Sequence, residues 1–152
     1  MVGNSKTEIN PNFTGRFVLY DRNHQEFDQF LIKMGTIYPF RKIAPYVRQE
    51  IEVEIQPETQ SVKIICRSSI VSSTEVYKID EMKKVRTLDW RSANHKLCYD
   101  NEKEILTLYE DWDVDGVAKN MQIIFWIDKK SGEMHAYFVS DGVKTLSKFS
   151  RL

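Results

Sequence analysis

The sequence predicts an all-β fold: a ten-stranded antiparallel up-and-down barrel, closed on itself, with a two-helix lid after the first strand. Three observations predict it. Short alternating apolar and polar runs recur along most of the chain, and turn residues such as Asp115-Gly116 and Asp141-Gly142 separate them. Asp-Gly between alternating runs is a strong local hairpin signal. One helical pattern interrupts the strands, directly after the first. A meander of this kind packs as a sandwich or closes its own edges. A helical hairpin inserted after its first strand points to closure under a lid, and so to a molecule that holds something inside.

Gly15 to Leu19 alternates as a half-buried strand does, with Phe17 and Leu19 on one face, and Asn23-His24 breaks it. Phe27, Phe30, Leu31 and Met34 then fall at i, i+3, i+4 and i+7, one apolar face of a helix. Gly35 stands where a helix C-terminal glycine belongs. Tyr38 to Val47 reads as a second short helix, with Pro39 in its first turn and Pro45 stopping or kinking it. From there the period changes to two: Ile51, Val53 and Ile55 alternate with Glu52 and Glu54. Gln56-Pro57-Glu58-Thr59 makes a turn, and residues 62–67 return as the next strand. Further strands are expected over 74–80, 85–90, 96–100, 104–110, 121–128, 134–139 and 143–149. No repeat or linker appears, so one domain is expected over 12–152, preceded by a flexible segment over 1–11.

The composition narrows the function classes. A chain of 152 residues fits one domain, long enough to bury roughly two-thirds of its unfolded surface. Lysine plus arginine and aspartate plus glutamate number 22 each, so no net field steers it toward nucleic acid or anionic membrane. Arg41, Lys42 and Arg48 leave room for a local basic patch near the helices. The segment MVGNSKTEINPNF carries no apolar stretch of a secretory signal, and no run approaches the ~18 apolar residues of a membrane-spanning helix. Cytoplasmic location is the expectation, with Cys66 and Cys98 as reduced thiols rather than a disulfide.

Motifs for chemistry are weak. Asp111-Trp112-Asp113-Val114-Asp115-Gly116 resembles the start of a calcium loop. The twelfth position, where that loop needs a bidentate Glu, is Gln122, and Lys119 adds a cation. An acidic hairpin turn is the better reading, and no metal or other cofactor is expected. His24, His95 and His135 lie far apart, at no metal-ligand spacing. His135, next to Met134, reads as a barrel-wall residue. No G-x-S-x-G elbow and no glycine-rich phosphate loop occur, so the chain is not read as an enzyme. Eighteen aromatics (eight Phe, seven Tyr, three Trp) are the remaining signal. They fill cores more often than they bind bases, and with zero net charge no nucleic-acid partner is expected.

At this point the chain resembles the intracellular lipid-binding proteins, the fatty-acid-binding and retinoid-binding family. Gly15-x-Phe17-x-Leu19 followed by Glu26-Phe27-Asp28-Gln29-Phe30-Leu31-Ile32-Lys33-Met34-Gly35 is similar to the family's G-x-W-x-L … N-F-D-x-Y-[LM]-x-x-[LM]-G signature. Phe17 replaces the usual Trp, and about two extra residues separate the halves. Phe40-Arg41-Lys42-Ile43-Ala44 resembles the second helix, and Leu106 to Asp113 a hairpin ending in K-W-D-G. The order of elements agrees from Asn12 to the C-terminus. The resemblance implies a clam-shaped barrel that binds and carries a fatty acid or neutral lipid non-covalently, as a monomer, with transient membrane contact through its helical lid. It makes Phe27, Phe30, Leu31, Met34 and Val71 candidate lining or portal residues. Phe27 and Met34 have a plain structural alternative, pinning the lid to the barrel.

Ile124, Trp126, Phe138, Ser147, Lys148 and Phe149 are the candidates on the later strands. They carry the main departure from the family pattern. Members that bind carboxylates usually end in R-x-Y, with another Arg on an earlier strand. Inward parity for Val143, Thr145, Ser147 and Phe149 puts Ser and Phe in place of that Arg and Tyr. The earlier Arg position falls at about Ile124. A one-residue register shift brings Lys148 inward instead. Either the ligand is neutral or held headgroup-out, or Lys148 or an unplaced residue supplies the charge. Two other readings compete: a barrel with a filled core acting by protein contact, and a secreted lipocalin-type carrier.

Overall fold

The chain runs up and down through ten strands, each paired with its predecessor except at one seam, between the fourth and the fifth. The computed structural model describes residues 8–36, 38–69, 71–87 and 91–152. The strands are β1 (Gly15–Arg22), β2 (Gln49–Gln56), β3 (Ser61–Ser68), β4 (Ser72–Lys78), β5 (Met82–Arg86), β6 (Ser92–Asp100), β7 (Ile105–Val114), β8 (Val117–Ile127), β9 (Met134–Ser140) and β10 (Val143–Arg151). The order in the sheet is β4-β3-β2-β1-β10-β9-β8-β7-β6-β5, antiparallel throughout. Pairing of β1 with β10 nearly closes the barrel. The remaining gap lies between β4 and β5, where Lys83 meets Glu75 at 2.6 Å and Tyr77 meets His95 at 2.7 Å. The end of the predicted fifth strand, residues 88–90, and residues 1–7 of the predicted flexible segment lie outside the described residues. From Ile9 onward the chain is packed: Ile9 is buried and the Asn10 N–H donates to the Tyr99 hydroxyl at 3.1 Å.

Helix α1 (His24–Met34) begins where the Asn23 side chain accepts a hydrogen bond from the Glu26 N–H, 3.0 Å. Such a cap satisfies one of the donors a helix start leaves open. It ends at Gly35, whose φ of 82° lies in the left-handed region, where a side chain costs energy and glycine does not. Phe30 and Met34 are buried, with Phe27 and Leu31 packed against them. Helix α2 (Tyr38–Ile43) starts around Pro39 and hands over at Pro45 to one 3₁₀ turn, Ala44–Tyr46. It buries none of its own residues. An ion pair from Arg41 to Asp28, 3.0 Å, ties it to α1.

The barrel interior divides in two. A 3₁₀ turn, Pro11–Phe13, brings Phe13 under the barrel, where Phe13, Phe17, Leu97, Leu106, Met134 and Phe149 are almost wholly unexposed. Phe17 fills the position of the family's Trp, with the Arg151 guanidinium 4.6 Å from its ring centre. Above this floor, beneath the helices, the barrel is hollow. The acidic motif near residue 111 forms the β7–β8 hairpin, with Asp115 and Gly116 at positive φ in its turn and Trp112 buried.

Two inward-outward assignments differ in outcome. On β10, Thr145, Ser147 and Phe149 face the interior, as the alternation predicts, and Lys148 faces away. On β8 the predicted parity is off by one. Met121, Ile123 and Phe125 point inward, so Ile124 and Trp126 lie on the outer face. Trp126 packs there on His135 and Tyr137, 5.5 and 5.4 Å between ring centres. The cause is the unbroken apolar run Ile123-Ile124-Phe125-Trp126-Ile127, in which nothing polar marks the outer face.

Candidate ligand cavity

A cavity of about 330 Å³ lies between the lid and the floor, within the ~300–1,000 Å³ range of small-molecule sites. Phe27, Phe30, Leu31 and Met34 of α1 form its roof, with Phe40 and Ile43 of α2 at the margin. Ile51, Ile64, Cys66, Val85, Leu108, Met121, Ile123, Phe125 and Phe138 make the walls, so most of the surface is apolar. Phe27, Phe30 and Phe138 pack on one another with ring centres 5.4–5.7 Å apart. Burial pushes the Cys66 thiol up to about 11, which makes it a poor nucleophile at neutral pH.

Of the residues predicted to line the cavity, Phe27, Phe30, Leu31, Met34, Val71 and Phe138 do so. Ser147 and Phe149 point inward without reaching it: Phe149 belongs to the floor, and Ser147 sits beneath another side chain. Ile124, Trp126 and Lys148 face away from it.

The side chain above Ser147 is Arg22, a lining residue that the strand alternation hides. Continued from Phe17 and Leu19, that alternation puts Arg22 outside. A bulge between Leu19 and Asp21 resets the register, so Arg22 pairs with Ser147 and enters the barrel. Its Nε donates to Ser147 Oγ at 2.6 Å. Its guanidinium lies 3.7 Å over the Phe27 ring and 5.3 Å from that of Phe138. Its Nη2 is sealed from solvent and, among the described residues, has no hydrogen-bond partner. Burial pushes the Arg22 guanidinium down to about 9. An unpaired buried donor on a cation is costly, and an anion placed against it would lower that cost.

A second polar group faces the same cavity. Glu110, 2% exposed, accepts from His95 Nε2 at 2.7 Å and from Arg91 Nη2 at 3.1 Å. His95 Nδ1 lies 2.7 Å from the Tyr77 hydroxyl, and the Arg91 guanidinium 4.2 Å over the Trp112 ring. Tyr77, Arg91, His95 and Glu110 all line the cavity. Burial, and then the nearby Glu75 charge, push the Tyr77 phenol well above its usual range, so it stays protonated. Glu110 carried a signal in the sequence: it continues the inward Leu106-Leu108 alternation of β7. His95 stands likewise between the buried Ala93 and Leu97. Among the described residues no group of His, Cys, Asp and Glu is placed to hold a metal ion. No helix described is long and apolar enough to cross a membrane.

Comparison with known proteins agrees with this geometry. No family profile matches the chain. Cellular retinoic acid-binding protein 1 of Gallus gallus is 30% identical over 96 residues, 62% of this chain and 68% of that protein. Among solved structures, lipid binding protein 8 of Caenorhabditis elegans superposes with a TM-score of 0.80 at 18% identity, over 93% of this chain and 96% of the other. Fatty-acid-binding protein 1 of Echinococcus granulosus gives 0.79 at 18% identity, over 93% and 98%. The fatty-acid-binding protein of Schistosoma mansoni, in complex with arachidonic acid, gives 0.78 at 16% identity, over 97% and 99%. At these identities the structures show a shared fold.

Proposed function

The chain belongs to the intracellular lipid-binding protein family, whose members are binding proteins and not enzymes, and from that premise we propose that it carries one acid-ended hydrophobic lipid in its barrel cavity. The observation that carries this reading is the combination of apolar walls with the open Nη2 of Arg22. Each methylene moved from water into such walls is worth ~0.8 kcal/mol. A carboxylate against Arg22 adds a charge-assisted hydrogen bond and gives the buried guanidinium its missing partner. Arg22 thereby takes the role for which the C-terminal strand offers only Ser147 and Phe149. Lys148, on the outer face, plays no part in it.

The transport role rests on reversibility, since all contacts are non-covalent. The lid also exposes Tyr38, Ile43 and Tyr46 beside Arg41 and Lys42, a mixture that suits brief contact with a membrane surface. A monomer working in the cytoplasm is the form we propose.

Displacement of a fluorescent fatty acid from delipidated protein tests the reading, comparing hexadecanoic acid with hexadecanol. The acid is expected to bind about 10- to 100-fold more tightly, the worth of one hydrogen bond to a charged group. Equal affinity for acid and alcohol would remove Arg22 from the account, and failure of both to displace the probe would remove the lipid.

A further inference from the structure

The surroundings of Arg22 deepen the lipid reading, on which this inference rests. Nη2, the donor that a ligand carboxylate needs, is sealed, and among the described residues no hydrogen-bond partner covers it. Two rings stand against the guanidinium, Phe27 with its centre 3.7 Å from Cζ and Phe138 at 5.3 Å. Something must move before an anion reaches that atom. Arg22 itself is tethered, since its Nε donates to Ser147 Oγ at 2.6 Å. Phe138 is buried in the wall on β9, with the rings of Phe27 and Phe30 at its edges. Phe30 is buried as well, so Phe27 is the half-buried member of the three.

Phe27 also has somewhere to go. It lines the barrel cavity on one side and, on the other, a second chamber of about 270 Å³ between the helices. Leu31 and Ala44 share this partition, and the exposed Tyr38 and Tyr46 line the outer chamber alone. A ring with open space on both sides turns without the repacking that a dense interior demands. Helix α1 stays in place meanwhile, because its first turn is held by the Asn23 cap and by the Phe27 N–H, which donates to the Asn23 carbonyl at 2.9 Å. The ring is retained by its stack on Phe30, its edge contact with Phe138 and the guanidinium. A cation over an aromatic face, removed from water, is the strongest of these contacts.

We propose that Phe27 sets the acid specificity of the cavity: its ring and the ligand carboxylate compete for the Arg22 guanidinium, and an acid is seated when the ring turns toward the outer chamber. The competition falls on acids alone. An alcohol of the same length occupies the same walls without needing Nη2, so it leaves the ring in place. Phe27 therefore offsets part of the preference for acids that Arg22 creates. As a carboxylate leaves, the ring returns to the guanidinium, which eases release and suits a carrier.

Hexadecanoic acid and hexadecanol are to be compared by displacement of a fluorescent fatty acid from delipidated wild-type protein, Phe27→Leu, Arg22→Met and the double variant. Leucine keeps an apolar wall and removes the ring. Both ligands lose that wall contact alike, so the ratio of acid to alcohol affinity isolates the contest for Arg22. In Phe27→Leu the ratio is expected to rise about 10-fold, the worth of a desolvated cation–π contact. Made in the Arg22→Met background, the same substitution is expected to leave the ratio unchanged. The inference is overturned if the ratio stays constant in Phe27→Leu, which makes the ring a wall alone, or falls, which makes it a support for Arg22. A rise that persists in the Arg22→Met background overturns it equally. Equal affinity for acid and alcohol in the wild type, or displacement by neither, is the failure of the lipid reading itself, and this inference falls with it. Should Phe27→Leu not fold, Phe27→Met decides by the same ratio.

Discussion

Phe149 and Ser147 stand on the same inner face of β10, yet they belong to two different interiors. Phe149 lies in the floor with Phe13 and Phe17, where rings and aliphatic chains are almost wholly unexposed. Ser147, one inward position further up, supports Arg22 beneath a cavity of about 330 Å³. Protein interiors are normally packed as densely as organic crystals. The floor follows that rule and the half beneath the lid departs from it. The floor holds the barrel together, so the upper half is free to stay hollow and to keep a buried charge without its counter-ion. The contrast assigns stability to one end and binding to the other.

Breaking the floor is expected to give the largest effect. Phe149→Ala leaves a cavity among residues that cannot collapse, with a cost of about 3–5 kcal/mol in urea unfolding. Phe138→Ala, at the wall of a space already hollow, loses fewer neighbours and is expected to cost less than half as much; equal costs would erase the distinction. Arg22→Met reverses the sign. Removing a buried cation without a partner is expected to stabilise the empty protein by about 1–3 kcal/mol while weakening acid binding. The pH dependence has a definite direction. The folded Arg22 holds its proton less tightly, to about 9, than in the unfolded chain, so the penalty is fully present below pH 9 and fades above it. The stabilisation by Arg22→Met is therefore largest below about pH 9, read from thermal melts across pH.

Gly35→Ala gives a smaller effect, about 1 kcal/mol, because the φ of 82° disfavours a side chain. The nearest atom to the added Cβ is Val114 Cγ2 at 3.9 Å, so the cost is conformational and not steric. Lys148→Ala is expected to leave acid affinity within about 2-fold, since the side chain faces away from the cavity; a larger loss in displacement assays would return it to the site.

The fold was legible because its signals are local. Asn23, Gly35, the prolines of α2 and the Asp-Gly turns each act within a few residues. Most strands also show a clear two-residue period. The site was legible where a helix presents it, since Phe27, Phe30, Leu31 and Met34 share one face whatever lies beneath. It was hidden where parity fails. The bulge near Asp21 turns Arg22 inward without any mark in the residues themselves, and the apolar run of β8 leaves no sign of which side is wet. The charged residues on inner faces, Glu110 above all, were visible as exceptions to an apolar alternation. Their partners come from strands distant in sequence, so the network they form is a product of the closed barrel.

The measurement closest to the central claim follows the ligand carboxyl itself. Hexadecanoic acid labelled with ¹³C at the carboxyl is titrated by NMR while bound to wild-type protein and to Arg22→Met. Held by the guanidinium, the wild-type carboxyl is expected to stay ionised well below the usual carboxylate range near 4, and in Arg22→Met to titrate above that range. Identical titration in the two proteins would contradict the assignment of Arg22 as the headgroup partner.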